Sequence, residues 1–177
     1  MRFNLVDNFL LFLADWLDFN SRFSWSLFLA MPGDPRLHRH RRWIEKCMED
    51  QKKKRKLYAI FQNLKRRELF QEKFFGDSRS YVITAKGKLS ILRLKIKQLN
   101  RAKFKNKLWL MVLFDVPERL RKKRDIFRTI LYEMGFEQLQ KSVWVTPYNV
   151  VKELKELIKN CNLEKFAKYL FVKKIKK

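Results

Sequence analysis

The chain has 177 residues, room for one domain or two small ones, and 46% of them are hydrophobic, which excludes a chain disordered by composition. Its 42 lysines and arginines stand against 18 acidic residues, a net charge of +24. A field of that strength attracts polyanions whatever the fold, so nucleic acid is the first partner to consider and an anionic membrane surface the second.

The charge is unevenly spread. Residues 1–35 carry two arginines against four aspartates, whereas residues 36–107 carry 24 basic side chains against 6 acidic ones. The binding surface is therefore expected in the middle of the chain. Cys47 and Cys161 are the only cysteines; they form no metal-ligand cluster and suit a reduced, cytoplasmic compartment.

Residues 4–19 read as a first helix, with Leu5, Phe9, Phe12 and Trp16 at helical spacing. Asp7, Asp15 and Asp18 interrupt it, each disfavoured at a bilayer centre by roughly 3 kcal/mol. No basic leader of several charges precedes it, so neither a membrane span nor a signal peptide is expected. Residues 20–35 end in a break at Pro32-Gly33-Asp34-Pro35. Residues 36–50 make a second helix with Trp43, Ile44, Cys47 and Met48 inward. His38 and His40 form an H-x-H pair without further ligands at metal-site spacing, and no metal is expected there.

The most informative helix is residues 54–67. Leu57, Ile60, Phe61 and Leu64 form an apolar stripe, and the other side shows Arg55, Lys56, Gln62, Asn63, Lys65, Arg66 and Arg67. Arginine and lysine hold phosphates and read guanine; asparagine and glutamine pair bidentately with adenine. Residues 69–84 read as a hairpin turning at Gly76-Asp77-Ser78, with Lys73 and Arg79 near its tip. Two helices, a basic helix, then a hairpin is the order of a winged helix-turn-helix, in which the basic helix enters the major groove of duplex DNA. Thr84 caps a helix to about Leu99, with Leu89, Leu92 and Ile96 inward. Residues 100–107 are polar and basic and read as a linker.

Residues 108–114 form a continuous apolar run, expected as a strand buried on both faces. A helix over 119–134 follows, with Ile126, Phe127, Ile130, Leu131 and Met134 inward and Gly135 as its C-cap. Residues 136–146 carry one or two strands, depending on a turn at Gln140–Ser142. Residues 150–159 form a helix and 169–175 a last strand. The expected fold class is α+β: a helical and winged-helix domain over 1–99, a linker over 100–107, and a βαββαβ ferredoxin-like domain over 108–177.

The stretch from Phe114-Asp115, Pro117-Glu118, through Gly135-Phe136, to Leu139-Gln140, Ser142-Val143-Trp144-Val145 and Pro147 resembles the second domain of PaaX-type transcriptional repressors. Thr84, Lys86 and Gly87 are similar to the Thr-x-Lys-Gly that follows the wing in that family. The resemblance implies a repressor that binds double-stranded DNA and pairs as a homodimer; the motifs carry no nucleophile–base pair, Gly-rich phosphate loop or zinc signature, so no enzyme is expected. The wide apolar surface of the first helix, with Phe9, Phe12 and Trp16, also suits a homodimer. The additional C-terminal domain of full-length repressors has no counterpart here, so no effector is assigned. The ferredoxin-like domain is in turn similar to the small CRISPR-associated endonuclease subunit, where an aspartate at the end of the first strand binds a divalent metal. Asp115 matches that position, which leaves a Mg²⁺-dependent nuclease or CRISPR adaptation subunit as the alternative. The residues themselves favour a simpler role for Asp115, capping the following helix with Pro117 and Glu118 in its first turn, while five cations (Arg119, Arg121, Lys122, Lys123 and Arg124) would repel a divalent metal there. A non-specific nucleoid or RNA-binding factor is the third option.

Overall fold

The computed structural model describes residues 5–20, 50–75 and 78–173, and the chain divides into two compact units, residues 1–91 and 92–177. Residues 36–49 of the helix expected over 36–50, the break at 32–35 and the H-x-H pair lie outside the described residues.

In the first unit, helix α1 spans Leu5–Asn20. Five consecutive side chains, Phe9 to Leu13, are at most 9% exposed, so this helix is covered all round at its middle. Helix α2, Gln51–Arg66, starts three residues earlier than its apolar periodicity suggests. Asp50 supplies the reason: its carboxylate accepts the N–H of Lys52 at 2.8 Å and of Lys53 at 3.3 Å, a cap that sets the helix start. Strands β1 (Phe70–Phe75) and β2 (Ser78–Ile83) pair antiparallel from Phe70↔Ile83 to Phe75↔Ser78, as the hairpin read over 69–84 requires.

Helix α3, Ala85–Gln98, begins in the first unit and ends in the second. Thr84 is its cap: the Thr84 hydroxyl accepts the N–H of Gly87 at 3.0 Å and donates to the carbonyl of Glu68 at 2.7 Å. Lys86 reaches the Glu68 carboxylate at 3.2 Å. A Cβ on Gly87 would stand 2.3 Å from the Leu69 carbonyl oxygen. The Thr-x-Lys-Gly sequence thus acts as a clamp between the start of α3 and the foot of the hairpin.

The second unit is ferredoxin-like. Strand β3 (Trp109–Phe114) leads through a 3₁₀ turn (Glu118–Leu120) into helix α4 (Arg121–Glu133). Strands β4 (Glu137–Gln140) and β5 (Val143–Thr146), helix α5 (Val151–Cys161) and strand β6 (Ala167–Val172) complete it. The sheet order is β4-β5-β3-β6, with every neighbouring pair antiparallel. Two βαβ units therefore interlock, each with a strand of the other between its own two strands.

Strand β3 is not buried on both faces. Leu110, Val112 and Phe114 are buried, while Trp109, Met111 and Leu113 alternate with them half-covered. In an antiparallel sheet of this kind the helices cover one face, and Phe127 of α4 meets Phe114 there edge-on at 5.2 Å. Ile126, expected inward, is 39% exposed, because the inward stripe of α4 runs through Phe127, Ile130, Leu131 and Met134. Gly135 does end α4, with φ +89°, and a Cβ there would stand 3.1 Å from the Tyr148 ring. The buried Thr146 hydroxyl donates to the Gly135 carbonyl at 2.8 Å. Residues 100–107 carry structure of their own in this unit: Lys103 bridges to Tyr148 and Lys105–Lys107 form a 3₁₀ turn.

Two glycine substitutions separate the two constraints. Gly87→Ala must displace a backbone carbonyl and is expected to destabilise the chain by about 2 kcal/mol or more. Gly135→Ala adds a left-handed alanine, about 1–2 kcal/mol, and a tight contact with a ring that can shift. Urea unfolding followed by circular dichroism measures both; an unchanged midpoint for Gly87→Ala would refute the clamp.

Candidate nucleic-acid interface

Helix α2 has two unlike sides. Leu57, Phe61 and Leu64 are at most 1% exposed. Phe61 lies between the hairpin rings, 4.7 Å from Tyr81 edge-on and 5.9 Å from Phe70. That packing turns the opposite side outward, where Lys52, Arg55, Lys56, Ala59, Asn63 and Arg66 are exposed and Gln62 half-buried. Spacings of 3, 4, 7 and 11 residues place them on one face. Arg67 follows at the C-cap, also exposed. Arg55, Lys56, Arg66 and Arg67 have no side-chain partner among the described residues.

Lys65 does not join that face. Its ammonium group pairs with Glu72 on β1 and lies 5.4 Å from the Tyr81 ring centroid, tying α2 to the hairpin. On the hairpin Lys73 is exposed opposite Ser80. The Arg79 backbone pairs with Phe74, and its side chain lies outside the described residues. Lys52 was missed by the sequence reading; recognising Asp50 as the cap places it one turn before Lys56, on the same face.

The cations at the head of α2 act against the helix. Lys52 to Arg55 sit where the macrodipole disfavours positive charge by roughly 0.3–1 kcal/mol each. Asp50 opposes this from the cap, and its ammonium partner Lys53, at 3.2 Å, together with the backbone N–H groups holds its carboxyl below the ordinary aspartate value.

In the second unit Asp115 is exposed at the end of β3, its N–H donating to the Phe166 carbonyl at 2.9 Å. It does not cap a helix. The N-cap positions fall on Pro117 and Leu120, neither with a side-chain capping bond, because the 3₁₀ turn moves the helix start beyond reach of Asp115. Glu118 is held instead by Arg124 at 2.8 Å and Arg121 at 3.8 Å, which lowers its pKa, and Arg124 also donates to the Val116 carbonyl at 3.1 Å. Two of the five crowding cations are thus engaged locally. Among the described residues no three His, Cys, Asp or Glu side chains come together. One free carboxylate on a basic surface does not fit a divalent ion held by this chain alone. Burial pushes the Cys161 thiol up to about 11, which removes it as a thiolate nucleophile.

Residues 102–177 match the family described as the PaaX protein central Cas2-like domain. The match covers less than half of the chain and ties the second unit to a PaaX-associated Cas2-like fold. Neither a curated protein nor a solved structure matches the chain. No helix among the described residues is long and apolar enough to cross a membrane.

The Asp50 cap predicts a pH dependence. Its lowered carboxyl contributes stability above the unfolded value of 3.8 that is lost as pH falls through the folded value. Asp50→Asn keeps the cap without the charge. The native chain is expected to exceed it in urea midpoint at neutral pH, with the difference vanishing in acid; a pH-independent difference would remove the ionic contribution.

Proposed function

We propose that the chain is a DNA-binding transcriptional regulator, built as a repressor of the PaaX kind, which reads duplex DNA with the outward face of α2. The observation that carries this reading is that face itself. Arginines and lysines suited to phosphate and guanine stand beside Gln62 and Asn63, suited to adenine, on a helix backed by a buried aromatic cluster. The hairpin that follows has the sequence position of a wing, and in this reading Lys73 and Arg79 meet flanking phosphates. The Cas2-like match of the second unit supports a nucleic-acid-associated role.

Asn63→Ala is expected to cost about 1–3 kcal/mol on a preferred duplex and to relax base preference. Arg66→Ala is expected to weaken all duplexes alike and lower the salt slope by about 1. Fluorescence anisotropy against preferred and scrambled duplexes measures both, and unchanged affinity in both variants would sink the assignment.

The protein acts as a homodimer in this reading. The half-covered sheet face of Trp109, Met111 and Leu113, with Leu170 42% exposed beside Met111, offers an apolar surface for a second copy. Preferred sites would then hold two half-sites about one duplex turn apart or a multiple of it. Sedimentation giving only monomer at tens of micromolar, with and without DNA, would exclude the pairing.

The nuclease alternative rests on the exposed, unpartnered carboxylate of Asp115 and needs further acidic ligands from elsewhere. No cleavage of DNA or RNA is expected in Mg²⁺ or Mn²⁺. Cleavage that disappears in Asp115→Asn while binding persists would replace the regulator reading.

A further inference from the structure

The segment joining α3 to β3 does not hang free in the second unit. The Phe104 N–H donates to the Pro147 carbonyl and the Asn149 N–H to the Ala102 carbonyl, both at 2.9 Å, on either side of the Lys103↔Tyr148 bridge. The Phe104 ring meets Phe171 of β6 edge-on at 5.6 Å. Arg101 donates from Nη2 to the Glu133 carbonyl at 2.6 Å, closing the C-terminal end of α4. The strap is therefore fixed by backbone pairing, ring packing and a capping arginine.

What it presents is positive charge. Lys103, Lys105 and Lys107 are all exposed, and none has a side-chain partner among the described residues. Because β6 runs antiparallel to β3, with Val172 opposite Trp109, Lys173 emerges at the same end of the sheet, also exposed. The acidic side chains described at this end are Glu133 at the end of α4, paired with Arg93, Glu137 at the start of β4, which has an interaction of its own, and Glu153 in the first turn of α5. Glu118 and Glu156 of the same unit are engaged by Arg124 and Lys95. Lys107 moreover sits at φ +53°, a left-handed position easier for glycine or asparagine than for lysine. Lysine at this position adopts that conformation at an energetic cost.

We infer that Lys103, Lys105, Lys107 and Lys173 form a second nucleic-acid contact, a rigid basic ridge on the ferredoxin-like unit that takes backbone phosphates without reading sequence. Ammonium groups held on a fixed strap lose less freedom on meeting a phosphate than those on a loose linker. Phosphates suffice as ligands, since an ammonium group meets a phosphate as a point charge and none of those four positions carries an adenine-reading Asn or Gln. This contact does not require the α2 reading.

The test uses the full chain with Lys103→Gln, Lys105→Gln and Lys107→Asn combined; asparagine suits the left-handed position, so the fold is expected to persist, checked by circular dichroism. Affinity for generic duplex is measured by anisotropy across salt concentrations. The expected result is a salt slope lower by about 2–3, and affinity at physiological salt about tenfold weaker or more. The ratio of preferred to scrambled duplex is expected to stay unchanged. A control triple, Lys122→Gln, Lys159→Gln and Lys165→Gln, removes equal charge from exposed lysines elsewhere; an equal fall in slope would overturn the ridge in favour of diffuse attraction. Loss of binding to anionic phosphatidylserine vesicles with duplex affinity intact would likewise overturn it. Arg66→Ala run in parallel separates the two sites: if it weakens binding and the strap triple does not, the ridge fails while the α2 reading stands, and the reverse result retains the ridge alone.

Discussion

Packing a strongly cationic helix against the protein depends on one buried ring. Phe61 is fully covered and sits between Phe70 and Tyr81, so it joins α2 to both strands of the hairpin at once. The cations of α2 repel one another and, in its first turn, oppose the macrodipole. The apolar side therefore has to hold the helix in place while the charged side remains in water. The Lys65–Glu72 pair reinforces the same junction, and Thr84 with Gly87 secures the foot of the hairpin on α3. Because the anchors lie on one side, the orientation of Arg55, Gln62, Asn63 and Arg66 is settled by packing rather than by the exposed residues themselves.

The second unit solves a different problem. Its sheet is fixed through buried alternation on β3 and a helix layer on one face, and its charge balance is arranged locally. Glu118 with Arg124, Glu133 with Arg93 and Glu156 with Lys95 consume acidic side chains near the helices. Such part-exposed pairs contribute little to stability, about 0–1 kcal/mol each. They matter more for distribution: charges paired here leave other lysines, and the Asp115 carboxylate, without a partner among the described residues. An exposed carboxylate in a cation-rich segment, with no cluster of three metal-ligating side chains among the described residues, is poorly suited to concentrating a divalent cation.

Periodicity and punctuation determined much of this protein by themselves. The apolar run before Asp115, the Gly135 stop, the turn before Val143 and the amphipathic stripe of α5 specify a βαββαβ order, because each reports a local preference of the backbone. The stripe of Leu57, Phe61 and Leu64 equally specifies which side of α2 faces water. Tertiary structure alone decided matters that depend on partners distant in sequence. Lys65 reads as one more surface cation until Glu72 is brought beside it. Asp115 reads as a cap until the 3₁₀ turn carries the helix start away. Residues 100–107 read as a linker, since no local signal reveals that Tyr148 will pair with Lys103 or that Phe171 will cover Phe104. Side-chain type and spacing are local properties, whereas burial and charge pairing arise only when the chain has closed on itself.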